Sequence, residues 1–199
     1  MDQTAPIHTH HHAVQFYGSD QSLHTTVAGF LSEGLIIGQP ALIIATEPHK
    51  TGILARLTER LIDVEKAQAS GDLVLLGADE ALAMFMVGDM PDEAAFEARI
   101  GGLVAQMLRD RRARTILRAY GEMVDVLWKE RREEAAIRLE ILWNKLATRF
   151  GFALLCGYAM GQFYKQAARF EDVCSHHTAV IQTDANVVPF KPKGVARTA

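Results

Sequence analysis

Residues 12–46, HAVQFYGSDQSLHTTVAGFLSEGLIIGQPALIIAT, constrain the fold more than any other stretch. They read as strand, tight turn, helix, strand. Ala13 to Tyr17 forms the opening strand, and Gly18-Ser19-Asp20 the turn. The helix follows from about Gln21 to Leu35, with Val27, Phe30, Leu31 and Leu35 at helical spacing. Gly34 and Gly38 loosen its exit, and Pro40 prevents continuation. Ala41 to Ala45 is short and wholly apolar, as suits a parallel strand buried on both faces. Such a βαβ unit needs helices over its sheet. The expected fold class is therefore α/β, three-layered, with a mostly parallel central sheet.

The unit has the layout of a phosphate-binding P-loop without its chemistry. A working P-loop brings several backbone N–H groups around the phosphates, adds a Lys for their charge and a Ser/Thr for Mg²⁺. The turn here, Tyr17 to Leu23, holds one Gly and no Lys. Asp20 sets negative charge where phosphate would sit, and is expected to cap the helix itself. ATP hydrolysis is not expected.

Composition removes several other function classes. Of 199 residues, 49% are hydrophobic and 23% charged, which fits one soluble domain with a substantial core. A net charge of −3 gives no electrostatic case for nucleic acid. No apolar run is long enough to span a bilayer, so no membrane partner is expected. Two cysteines, Cys156 and Cys174, fit a reducing cytoplasm better than a disulfide scaffold. Residues 1–11 form a flexible leader with His8, His10 and His11, 12–182 a single domain, and 183–199 a loosely ordered tail.

Beyond the opening unit, helices are expected over His49–Gln68, Asp79–Met86, Glu93–Arg111, Arg132–Phe150 and Arg169–Gln182. Strands are expected over Leu73–Leu76, Thr115–Ala119 and Phe152–Cys156. The basic run Arg109 to Arg114 fits cations at a helix C-terminus. Glu140 and Asn144 share a helix face, and spacing alone makes that face a solvated one.

In open α/β sheets, ligands bind at the carboxyl edge of the strands. Tyr17 ends a strand, Glu47 lies just past one, and Glu122 follows Tyr120-Gly121 at a sharp exit, with Arg118 and His12 as candidate partners. Tyr158 sits at a third strand end. The expected ligand-binding residues are thus His12, Tyr17, Glu47, Glu122 and Tyr158, with no catalytic set, no metal site and no assigned cofactor. Two metal or haem alternatives stay open: His12 with the leader histidines, and Cys174 with His176 and His177.

Several separated blocks resemble the MEDS family, a sensory domain named for methanogens, methylotrophs and the regulator DcmR. They are His12 to Tyr17, FLSEGLIIGQPALIIAT, Tyr120-Gly121-Glu122-Met123, Leu139 to Asn144, Leu154 to Tyr158, and the closing helix with Phe170, Cys174 and His177. The layout is also similar to KaiC/RecA-like ATPases with a degenerate P-loop, whose lysine position is vacant here. The strand Thr115–Ala119 also lacks the acidic residue that would hold Mg²⁺. The resemblance implies a cytoplasmic, non-catalytic sensor of a small organic ligand. Its output would pass to a separate partner such as a histidine kinase or transcription regulator, and a homodimer fits signalling through contacts. The competing reading is a nucleotide-binding RecA-like protein.

Overall fold

The structure, a computed structural model, describes residues 12–112, 115–163, 167–182 and 186–189. The opening unit is β1 (His12–Tyr17), α1 (Asp20–Leu35) and β2 (Ala41–Ala45). Then come α2 (Glu47–Glu59), α3 (Val64–Ala69), β3 (Leu73–Gly77) and α4 (Ala78–Ala83). A hairpin, β4 (Met86–Val87) with β5 (Met90–Pro91), leads to α5 (Glu93–Phe96), a π-helical turn (Glu97–Gly101) and α6 (Gly102–Leu108). The second half holds β6 (Arg118–Gly121), α7 (Met123–Lys129), α8 (Glu133–Phe150), β7 (Ala153–Ala159) and a 3₁₀ turn (Met160–Gln162). It closes with α9 (Ala167–Ser175), β8 (Ala179–Gln182) and β9 (Asn186–Pro189).

Seven strands form the main sheet in the order β3-β2-β6-β7-β1-β8-β9. The first six pair in parallel, and β9 runs antiparallel to β8. β1 and β2 share the sheet as expected, with β6 and β7 between them. All five residues of β2 are buried, the signature of a strand covered on both faces. One core lies between the sheet and α1–α3, built on Leu23, Val27, Leu31, Ile43, Ile53 and Leu57. The other lies beneath α4–α9 and includes Phe96, Trp128, Leu139, Trp143 and Phe152. Each fully buried aliphatic side chain contributes about 1.5–3 kcal/mol, so both cores hold the three layers together.

Local differences from the sequence reading have local causes. Ser19, not Asp20, caps α1, accepting from the Ser22 N–H at 3.3 Å. The helix expected over 49–68 breaks where Leu61 takes a left-handed φ of 64°, and Asp63 caps its second part. The helix expected over 79–86 stops at Ala83 and yields to the β4–β5 hairpin, and that over 93–111 is interrupted by the π turn. β6 begins three residues later than expected and β7 runs on to Ala159. The helix expected to reach Gln182 ends at Ser175. Thr178 donates its N–H to His12 O at 2.7 Å, which docks Ala179–Gln182 on the free side of β1 as a strand. Tertiary pairing overrides the helical spacing there. Within the expected tail, Asn186–Pro189 is paired to β8. The leader, Ala113 and Arg114, and most of the tail lie outside the described residues. Arg111 bears out the helix-terminus reading of the basic run: its Nε donates to Met107 O at 2.7 Å. Among the described residues, no helix is long and apolar enough to cross a membrane.

Candidate functional site

Two polar clusters lie on opposite faces of the sheet. The first stands at the carboxyl edge. The Glu122 N–H donates to Ile44 O at 3.1 Å, so β6 and β2 deliver Glu122 together to that edge, where it begins α7. Both carboxylate oxygens are engaged. Oε1 accepts the Thr46 N–H at 2.6 Å; Oε2 accepts the Tyr120 hydroxyl at 2.9 Å and lies 2.5 Å from His49 Nδ1. Glu47 and Pro48 open α2, which sets His49 in its first turn over Glu122. His49 Nε2 reaches Asp20 Oδ1 of α1 at 3.4 Å, and the His24 ring is 5.4 Å from the His49 ring. Alongside, Asp125 gathers three elements: it accepts from the Tyr17 hydroxyl at 3.1 Å and the Ala159 N–H at 2.9 Å, and pairs with Lys129 at 2.7 Å.

The electrostatics follow from burial and these bonds. Burial opposes ionisation of Glu122, but the hydrogen bonds from His49 and Thr46 outweigh it and hold the carboxyl below its ordinary range. The bond to Glu122 raises His49 against the opposing effect of burial. Burial pushes the hydroxyls of Tyr17 and Tyr120 far up, reinforced at Tyr17 by Asp125 and at Tyr120 by Glu122. Both tyrosines therefore stay protonated donors. Burial, then His49, lowers His24. The edge carries a histidine–carboxylate pair flanked by neutral hydroxyls, a set suited to hydrogen-bonding a small polar molecule. It has no lysine at the α1 turn to neutralise phosphate.

The second cluster is buried beneath α8. β1 and β7 run in parallel register, His12 beside Leu154 and Val14 beside Cys156, so His12, Cys156 and Tyr158 project to one face. Glu140 of α8 points in from above and His177 from the segment after α9. Glu140 Oε1 accepts the Tyr158 hydroxyl at 2.8 Å. Oε2 lies 3.2 Å from His12 Nε2, 3.5 Å from Cys156 Sγ and 3.5 Å from His177 Nε2. His12 Nε2 is 3.1 Å from Cys156 Sγ, and His12 Nδ1 is 2.9 Å from Asn144 Oδ1. His177 Nδ1 donates to Val173 O at 2.7 Å. His12, Glu140, Cys156 and His177 are all buried, and their donor atoms lie within 4.8 Å of one another. Burial alone would raise the Glu140 carboxyl; the imidazoles of His177 and His12 and the Tyr158 hydroxyl outweigh it and keep Glu140 ionised. Burial lowers His177 to about 3, and the neighbouring His12 adds to the effect. It also raises the Cys156 thiol, with Glu140 adding to the effect.

The five expected ligand residues do not face one hollow. Tyr17 and Glu122 belong to the edge cluster, whereas His12 and Tyr158 belong to the buried cluster. Glu47 turns to solvent, its side chain 81% exposed beside Lys50. Strand parity separates them: His12 and Tyr17 are five residues apart on one strand and point to opposite faces. Neither expected partner of Glu122 is near it. Arg118, at the amino end of β6, pairs with Glu33 at 2.9 Å, and His12 faces Glu140. Sequence reasoning missed His49 and Asp125 at the edge. It also gave Glu140 and Asn144 to solvent, although residues 136, 140, 143 and 147 fall on one apolar stripe. Cys156 stands where the Cys174 alternative was drawn, while Cys174 packs in the core.

The description "MEthanogen/methylotroph, DcmR Sensory domain" matches residues 11–178. Among solved structures, the fold is similar to a KaiC-like protein, PH0186, from the hyperthermophilic archaeon Pyrococcus horikoshii OT3. The TM-score is 0.55 and the identity 14%, over 87% of this chain and 71% of that one. No curated protein matches the sequence. With the match spanning both polar clusters and five of the seven strands of the sheet, the chain belongs to the MEDS family of sensory domains, on a KaiC-like α/β fold.

Proposed function

We propose that this sensory domain is non-catalytic and reads a small organic ligand at the carboxyl edge of its sheet, through His49, Glu122, Tyr17, Tyr120 and Asp125. The response passes to a separate signalling protein, a histidine kinase or transcription regulator, in the cytoplasm. The observation that carries this reading is the His49–Glu122 pair at 2.5 Å, buried at the carboxyl edge of the sheet. An ion pair bridging two helix starts is a two-state element: a guest offering its own hydroxyl or amine can replace one partner and release the other. Asp20 and Glu122 both place negative charge at this mouth, which disfavours a triphosphate. The two cysteines are free, as suits a reducing compartment.

Mass spectrometry of the molecule that copurifies with untagged protein, followed by thermal shift with a panel of small alcohols, amines and carboxylic acids, tests the reading. The expected result is a class of small polar molecules that raises the melting temperature of wild type but not of folded Glu122→Gln. A stabilising ligand whose effect survives Glu122→Gln unchanged overturns the assignment to this edge.

A further inference from the structure

We propose that His12, Glu140, Cys156 and His177 form a binding site for a divalent transition cation of the zinc class. This site is distinct from the ligand edge and lies on the other face of the sheet. The argument rests on donor type, spacing, orientation and charge.

The four residues present two imidazole nitrogens, a thiol and a carboxylate oxygen, the donors that zinc takes. Zinc–sulfur bonds of about 2.3 Å and zinc–nitrogen or zinc–oxygen bonds of about 2.0–2.2 Å separate tetrahedral donors by roughly 3.3–3.7 Å. Four of the donor pairs here lie at 3.1, 3.2, 3.5 and 3.5 Å. Four of the six donor pairs are therefore close to tetrahedral spacing, and all the donor atoms lie within 4.8 Å of one another.

Orientation is the second observation. His177 donates through Nδ1 to Val173 O, and its buried Nε2, aimed into the cluster, has no hydrogen-bond partner. His12 is held the same way: Asn144 donates through Nδ2 to His176 O at 2.9 Å, which turns its Oδ1 to accept from His12 Nδ1. Both imidazoles thus present Nε2 lone pairs inward, each against the same carboxylate oxygen. His177 Nε2 has no hydrogen-bond partner there, and His12 Nε2 stands beside the Cys156 thiol, so both rings aim a nitrogen at the space between the four side chains. An outer carbonyl or amide oxygen fixing the tautomer is how metal-binding histidines are held, and the Tyr158 hydroxyl plays that part for Glu140.

Charge closes the argument. Among the described residues, the polar neighbours of the Glu140 side chain are two histidines, a thiol and a tyrosine, with no Lys or Arg. Binding exchanges the Cys156 thiol proton, released to solvent, for the cation. Thiolate, carboxylate and two neutral imidazoles then balance a 2+ charge in a buried space. Asn144, which holds His12, also lines an open cleft of about 480 Å³ with Lys145, Thr148 and His176. The four ligands come from β1, α8, β7 and the segment after α9, so a bound ion would fasten the last αβ unit to the sheet.

The test uses the full-length, untagged chain, stripped with a chelator and titrated with Co²⁺, then back-titrated with Zn²⁺. One equivalent of Co²⁺ is expected to give the thiolate-to-cobalt charge-transfer band and the strong visible bands of a tetrahedral site, and Zn²⁺ to abolish them. In Cys156→Ser, checked for folding by circular dichroism, the charge-transfer band should vanish and affinity fall at least about tenfold. A variant with His8, His10 and His11 all changed to Ala should retain both. Wild type that shows no charge-transfer band overturns the proposal, as does a band kept by Cys156→Ser. Binding that disappears with the leader histidines would show capture by the leader instead and would also overturn it.

Discussion

His49 Nδ1 lies 2.5 Å from Glu122 Oε2, and the two residues are 73 apart in the sequence. Their contact ties the first turn of α2 to the start of α7 across the carboxyl edge of β2 and β6. The pair is buried and both members titrate, so its contribution depends on pH with a definite sign. The His49 value is raised by folding, so its stabilisation is complete below the ordinary value of 6.5 and is lost as pH rises through the raised one. The Glu122 value is lowered, so its stabilisation is present above the ordinary 4.5 and is lost as pH falls through the lowered one. Both terms are whole between those ordinary values. Urea denaturation of wild type and His49→Gln at pH 6 and pH 9 should show a stability gap larger at pH 6, by on the order of 1 kcal/mol. An equal gap at both values would contradict a charged His49.

Glu122→Gln should cost about 1–3 kcal/mol while leaving the far-ultraviolet circular dichroism unchanged. The carboxylate receives three donors, and an amide turns part of that acceptor surface into a donor facing Tyr120 or His49. Equilibrium denaturation measures the loss; a variant as stable as wild type would mean that the carboxylate is not ionised.

Gly157 of β7 is required by Tyr120. A Cβ there would lie 2.8 Å from the Tyr120 hydroxyl oxygen and 3.3 Å from Leu23 Cδ1. Gly157→Ala should cost about 1–3 kcal/mol by pushing the hydroxyl from Glu122. The same change made in Tyr120→Phe should cost less, and the double-mutant cycle should give a coupling of at least about 0.5 kcal/mol. Simple additivity would show that the collision is relieved elsewhere.

Tyr158→Phe removes the donor to Glu140 Oε1 and leaves a buried carboxylate oxygen short of a partner. A loss of about 1–3 kcal/mol is expected by chemical denaturation, with the fold retained. A neutral outcome would indicate that Glu140 takes up a proton when the hydroxyl goes.

The strands were legible because a parallel strand covered on both faces must be a short apolar run, and Ala41–Ala45 or Leu154–Leu155 can hardly be read otherwise. The vacant phosphate turn was legible too, since chemistry there needs a particular residue. Ala179–Gln182 was not, because its partner β1 lies far off in sequence, and its Val180 and Ile181 fit a short helix pattern equally well. The ligand candidates were chosen for lying at strand ends. That criterion found Tyr17 and Glu122 but ignored the parity that sends His12 and Tyr158 to the other face. His49 carries no signal of its own until the start of α2 is placed beside Glu122. Glu140 did carry one: a carboxylate in the middle of an apolar stripe must find buried partners, and His12, Tyr158 and His177 supply them.

The proposed function has the edge read small polar molecules and not triphosphates. Isothermal titration of the full-length protein with Mg·ATP, with inorganic phosphate assayed in the same samples, tests this most directly. The account predicts no saturable heat and no phosphate release above the protein-free control. Saturable binding that weakens in Glu122→Gln or His49→Gln, or steady release of phosphate, would contradict it.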